Sequence, residues 1–70
     1  MDIEEIVKLG KVRGWLRVKE TALLLGRSVK GLQNAHSARS GLMAFAYKVE
    51  GDNQLRVPFD DVMREINRKK

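Results

Sequence analysis

The spacing of apolar side chains changes twice along the chain. In the first half they recur every three or four positions, the period of an amphipathic helix, which predicts helices over residues 1–10 and 18–25. Over residues 43–49 every odd position is apolar, and positions 55 and 57 continue the same parity, as expected for two strands that share one buried face. Residues 59–67 then return to helical spacing.

Residues that favour helix ends and turns mark the boundaries of these elements. Gly26 can take the left-handed conformation that ends a helix, and the Ser28 hydroxyl can cap the next one, which predicts two helices within residues 17–39. Residues 50–53 are Glu-Gly-Asp-Asn, a composition typical of a hairpin turn, and Pro58 suits the end of the second strand. The predicted order is helix, helix–turn–helix, two-stranded β-hairpin and C-terminal helix, a small α+β domain spanning all 70 residues.

Charge and composition favour a polyanionic partner and argue against disulfide, thiolate-metal and membrane-spanning proteins. Fourteen Lys and Arg residues against nine Asp and Glu residues give a net charge of +5, which favours polyanionic partners. The chain has no cysteine, which excludes disulfides and thiolate metal sites. Its longest uncharged apolar run, residues 41–47, is far below the roughly 20 residues that a bilayer requires, so we expect no membrane association and a cytoplasmic location.

The second helix of the pair has two different faces. Val29, Leu32, Ala35 and Arg39 share one face, and Lys30, Gln33, Asn34 and Ser37 share the other. A lysine supplies charge for a phosphate and side-chain amides can hydrogen-bond to adenine, so the polar face suits a DNA major groove. The alternative is an ordinary solvated face, but such a face usually carries charges of both signs.

Other polar and aromatic residues have more than one interpretation. Lys48, Gln54 and Arg56 share the polar face of the predicted hairpin, where they can contact phosphates or protect a strand edge from aggregation. Trp15 is predicted to be a core anchor. His36 is interpreted as a partly buried side chain whose hydrogen bond is satisfied within the protein.

Residues 18–34, Val-Lys-Glu-Thr-Ala-Leu-Leu-Leu-Gly-Arg-Ser-Val-Lys-Gly-Leu-Gln-Asn, resemble the start of the excisionase and MerR-like winged helix–turn–helix family. In that family a strand-like lead-in precedes a V-K-E-x-A-x-x-L-G-x-S segment, and a recognition helix, a β-hairpin wing and an acid-led helix follow. Residues 15–66 match this order and form the predicted core, with residues 1–10 as an extra N-terminal helix. Gly31 stands where members of the family that the chain resembles usually carry threonine or a similar phosphate-contacting residue.

The resemblance implies a DNA-binding module whose second helix enters a major groove. It implies an excisionase-like recombination accessory factor or a small transcription regulator of a mobile element. The expected partners are double-stranded DNA, an integrase or recombinase, and further copies of the domain that bind cooperatively on DNA. The residues expected to contact DNA are Arg27, Ser28, Lys30, Gly31, Gln33, Asn34, Ser37, Lys48, Asn53, Gln54 and Arg56.

Two alternatives stay open at this point. The chain can be a protein-interaction winged helix that docks through residues 1–10 and the exposed alanines, or the DNA-binding domain of a larger transposase or repressor. We do not expect an enzyme, because the sequence has no glycine-rich phosphate loop and no nucleophile elbow. One histidine without cysteine also predicts no metal site, and no cofactor is expected.

Overall fold

The computed structural model describes residues 2–68 and has the predicted fold class. Over that range it contains four α-helices and a two-stranded antiparallel sheet in a small α+β, winged-helix-like arrangement. In chain order the elements are α1 (Ile3–Arg13), β1 (Trp15–Arg17), α2 (Val18–Leu25), α3 (Val29–Ser37), a 3₁₀ helix (Gly41–Phe45), β2 (Arg56–Pro58) and α4 (Phe59–Arg68).

The helix ends follow the capping chemistry of the sequence. The Asp2 side chain accepts a hydrogen bond from the Glu5 backbone N–H at 2.9 Å and caps α1. Gly26 ends α2 in the left-handed conformation, with φ 68°. The Ser28 hydroxyl then accepts the Gly31 backbone N–H at 3.0 Å and caps α3. The predicted division of this segment into two helices is confirmed.

The first helix is longer than predicted, and Gly10 does not end it. The helix continues to Arg13 and ends at Gly14, which has φ 83°. Gly10 lies inside the helix against the Phe59 ring, where an added Cβ would be 2.2 Å from Phe59 Cδ1. Close packing of α1 on α4 therefore explains this glycine. Met1, the first residue of the predicted helix, lies outside the described residues.

The sheet pairs different segments from those that alternation predicts. Strand β2 pairs antiparallel with β1, so that Leu16 lies opposite Val57 and Arg17 opposite Arg56. The predicted strand over residues 43–49 is wrong, except that Tyr47 forms a single antiparallel bridge with the other edge of Arg56. We call the loop closed by this bridge, residues 47–56, the wing.

Burial explains why residues 43–49 do not form a full strand. Leu42 and Met43 are consecutive and both buried, at 6% and 1% exposed, and the 3₁₀ helix places both side chains in the core. A strand would direct two consecutive side chains to opposite faces. The odd positions that the pattern assigned to a buried face, Phe45, Tyr47 and Val49, are instead 60%, 41% and 39% exposed.

One apolar core joins all these elements. Its buried members are Ile6, Leu16, Ala22, Leu32, Leu42, Met43, Val57, Phe59 and Val62. The predicted inward face of the last helix is confirmed, since Phe59 and Val62 are buried and Met63 and Ile66 pack against the cluster. Trp15 is not a core anchor. It is only partly buried, and its neighbour Leu16, at 0% exposed, occupies the core instead.

The contact between Gly10 and Phe59 predicts an unusual response to a helix-favouring substitution. Alanine normally stabilises a helix relative to glycine by roughly 0.5–1 kcal/mol. Gly10→Ala should instead lower the free energy of unfolding by about 1–3 kcal/mol, because the new methyl group overlaps the Phe59 ring. Urea denaturation would measure this, with Val12→Ala as the control at an 85% exposed position of the same helix. A more stable Gly10→Ala variant would contradict the packing described.

Candidate nucleic-acid interface

Helix α3 is fixed to the domain by one side and leaves its polar side in solvent. Leu32 is 1% exposed, and Ala35 packs against the core. His36 Nδ1 lies 3.1 Å from the Met43 carbonyl oxygen, which confirms its interpretation as a satisfied, partly buried side chain. Arg39, assigned to the apolar face, lies beyond the end of α3 with φ 53°. The four predicted polar-face residues, Lys30, Gln33, Asn34 and Ser37, are all exposed.

An open cleft of about 430 Å³ separates α3 from the wing. Gln33 and Ser37 line it from α3, and Lys48, Asn53 and Gln54 line it from the wing. Val18, Val29 and Leu55 add apolar surface, and Lys19 and His36 complete the lining. Two segments that are distant in sequence thus bring five of the predicted DNA-contacting residues to one place.

The lining of this cleft has a single sign of charge. Lys19 and Lys48 contribute two ammonium groups, and none of its lining residues is an aspartate or glutamate. Lys19 was not among the predicted contacts, although it is exposed on the first turn of α2. Its sequence position gave no indication that α2 borders the wing, because that proximity arises from the β1–β2 pairing.

Other predicted contacts on α3 and its cap lie outside the cleft lining. Lys30, in the first turn of α3, and Asn34, in the middle of the helix, are both exposed on the side next to Gln33 and Ser37. Ser28 serves as the cap, and a Cβ at position 31 would lie 2.9 Å from its Oγ, so Gly31 keeps room for the cap.

Arg27 and Arg56, both predicted to contact DNA, form contacts inside the protein that leave them exposed to different extents. Arg27 Nη2 lies 3.5 Å from Glu65 Oε1, and its side chain remains 41% exposed. Arg56 instead lies away from the cleft. Its guanidinium donates to Asp52 and lies over the Trp15 ring, 4.0 Å from the centroid. Arg27 therefore pairs with Glu65 while part of its side chain stays in solvent, whereas the guanidinium of Arg56 has its contacts within the protein.

Two carboxylates that are next in sequence to cleft-lining residues, Glu20 beside Lys19 and Asp52 beside Asn53, are paired with arginine. Glu20 accepts from Arg13 Nη2 at 2.5 Å, and also from the Arg17 backbone N–H. Asp52 Oδ2 accepts from Arg17 at 2.6 Å and from Arg56 at 3.2 Å. The backbone N–H of Gln54 and then the Arg17 guanidinium lower the pKa of Asp52 from its ordinary value of 3.8. Asp52 is therefore held as a carboxylate.

Other kinds of site are not found in the described part of the chain. Residues 2–68 contain no cluster of three or more His, Cys, Asp or Glu side chains that could hold a metal ion. No helix within the same residues is long and apolar enough to cross a bilayer. No family model, curated protein or solved structure matches the chain.

The lowered pKa of Asp52 predicts how its contribution to stability changes with pH. A carboxyl group whose pKa is depressed by folding stabilises the protein above its unfolded pKa of about 4, and loses that effect as pH falls through the folded value. The melting temperature of Asp52→Asn should therefore be lower than that of the wild type at pH 7. The gap should shrink below about pH 4. Thermal unfolding followed by circular dichroism would measure it, and a gap that is constant with pH would contradict the ion pairs described.

Proposed function

We propose that this domain binds duplex DNA, with α3 in the major groove and the wing along the neighbouring minor groove or backbone. The observation that carries the proposal is the α3–wing cleft, which is lined by amides, a hydroxyl and two lysines without a carboxylate. A major groove about 12 Å wide admits one α-helix, and the exposed side of α3 presents the side-chain chemistry that reads base edges.

The residues divide into two kinds of contact under this proposal. Lys19, Lys30, Lys48 and Arg27 provide charge for phosphates, which gives affinity without reading sequence. Gln33 and Asn34 can each form a bidentate pair with adenine and so discriminate between bases. Asn53 and Gln54 contribute polar groups from the wing to the neighbouring minor groove or backbone.

The role that fits best is an excisionase-like recombination accessory factor or a small transcription regulator of a mobile element. The resemblance of residues 18–34 to that family supports this role, as does the winged-helix-like arrangement. A domain of this size makes few base contacts, so specific affinity requires cooperative binding of several copies or contact with an integrase or recombinase. The same DNA-binding chemistry would serve within a larger transposase or repressor.

A protein-docking role is the second candidate, and exposed apolar side chains favour it. Val12 is 85% exposed, Phe45 60% and Ile3 57%, and all three lie outside the α3–wing cleft. Isolated exposed apolar residues are common on monomeric proteins, so this observation is weaker than the polar cleft.

The first test of DNA binding is its dependence on salt. A labelled duplex of random sequence should bind the domain with an affinity that falls steeply between about 50 and 200 mM salt. Four phosphate contacts would give a log–log slope of roughly −3 to −4, since each contributes about 0.9. Fluorescence anisotropy would measure it. No binding at the lowest salt concentration would exclude the DNA-binding proposal and favour the protein-docking candidate.

The division of contacts predicts two different mutant phenotypes. Lys30→Ala should weaken binding to every duplex and reduce the salt slope by about 1. Asn34→Ala should leave binding to random DNA nearly unchanged but lower the preference for a duplex selected from a random library, by about 1–3 kcal/mol. Lys8→Ala, an exposed lysine on α1, is the control for loss of charge alone. Equal effects of Lys30→Ala and Asn34→Ala on random DNA would contradict this division.

A further inference from the structure

The wing has too little backbone pairing to hold its own position. The Tyr47 and Arg56 backbones exchange two hydrogen bonds, of 2.9 and 2.7 Å, and the Asp52 N–H donates to the Val49 carbonyl at 2.9 Å. A net contribution of about 1 kcal/mol from each such bond is comparable with the entropy cost of ordering a single residue. Side-chain contacts must therefore determine where the wing lies.

Asp52 supplies these contacts from inside the wing. Its Oδ2 accepts from Arg17 Nη1 at 2.6 Å and from Arg56 Nη2 at 3.2 Å, which connects the wing to both β1 and β2. Its Oδ1 accepts the Gln54 backbone N–H at 3.0 Å and so shapes the turn that carries Asn53 and Gln54. One carboxylate thus links the two strands to the residues that line the cleft.

The two arginines that hold Asp52, Arg17 and Arg56, lie with a third, Arg13, against the Trp15 ring. The guanidinium carbons of Arg13, Arg17 and Arg56 lie 4.0, 5.0 and 4.0 Å from the centroid of the Trp15 ring. Glu20 holds Arg13 through an ion pair. Stacking of guanidinium groups on an indole is attractive and limits their conformations. Asp52 therefore accepts hydrogen bonds from guanidinium groups that the Trp15 ring already holds in position.

We propose that Asp52 is a positioning residue that sets the distance between the wing and α3, and thereby the fit of the cleft to duplex DNA. This inference rests on the proposed DNA binding. Charge alone predicts the opposite effect, because a carboxylate near phosphates disfavours binding and its removal should strengthen it. A loss of affinity after neutralisation of Asp52 would therefore identify positioning as the larger effect.

The wing offers a matched control for this test. Glu50 lies two residues from Asp52 and is exposed, with no side-chain hydrogen bond to another described residue. Glu50→Gln and Asp52→Asn remove the same charge from the same loop. On a duplex selected from a random library, Glu50→Gln should bind as well as the wild type or better. Asp52→Asn should bind about tenfold more weakly, a loss equivalent to one bidentate base contact, and Asp52→Glu should recover part of that loss.

Amide hydrogen exchange tests the same inference without DNA. In Asp52→Asn the Tyr47 and Arg56 amides should exchange faster than in the wild type and in Glu50→Gln, while the Leu32 amide of α3 stays protected. If Leu32 also loses protection, Arg17→Gln replaces Asp52→Asn in the exchange experiment alone, because it removes only one of the two arginines. The Tyr47 and Arg56 amides should again exchange faster while the Leu32 amide stays protected.

The DNA-binding and hydrogen-exchange experiments together distinguish failure of this inference from failure of the proposed function. Unchanged exchange at Tyr47 and Arg56 would overturn the positioning role whatever the DNA results are. Stronger DNA binding by Asp52→Asn would also overturn it, since simple charge removal would then be sufficient. Absence of DNA binding by the wild type would reject the proposed function, whereas the exchange experiment would still decide whether Asp52 positions the wing.

Discussion

The pairing of Leu16 with Val57 is the contact on which the rest of the structure depends. Both side chains are 0% exposed, and their strands join two parts of the chain that lie far apart in sequence. This pairing closes the segment between them into a loop that contains α2, α3 and the wing. Because Tyr47 bridges the opposite edge of Arg56, the wing starts beside β2. The position of the wing next to α3 follows from this arrangement.

Local sequence was sufficient to predict the four α-helices, except for the end of α1, which lies at Arg13 and not at Gly10. Their ends depend on residues within one turn, such as the Ser28 cap and the left-handed Gly26, and periodicity reveals their buried faces. The strands were less predictable, because each has three residues, too few to establish a period of two. The alternation over residues 43–49 was misleading. Consecutive burial of Leu42 and Met43 outweighed it, and a 3₁₀ helix accommodates both.

The sequence predicted part of the candidate site but not the contacts that hold the wing in place. The polar side of α3 and the wing residues Lys48, Asn53 and Gln54 follow from local pattern and from the family resemblance. The cluster around Trp15 does not, because it combines β1, β2, the end of α1 and the wing. The ion pair between Arg17 and Asp52 joins residues 35 positions apart. Such contacts appear only when the strand pairing is known.

The position of Trp15 also gives the domain an intrinsic fluorescent probe beside the wing. It is the single tryptophan of the chain, it is partly buried, and it touches the arginines that hold the wing. Its fluorescence therefore originates at the junction of the wing and the sheet. Any event that moves Arg17 or Arg56 changes the polarity and charge around the excited indole. Movements of the wing can be followed in the unlabelled protein, in real time and at low concentration.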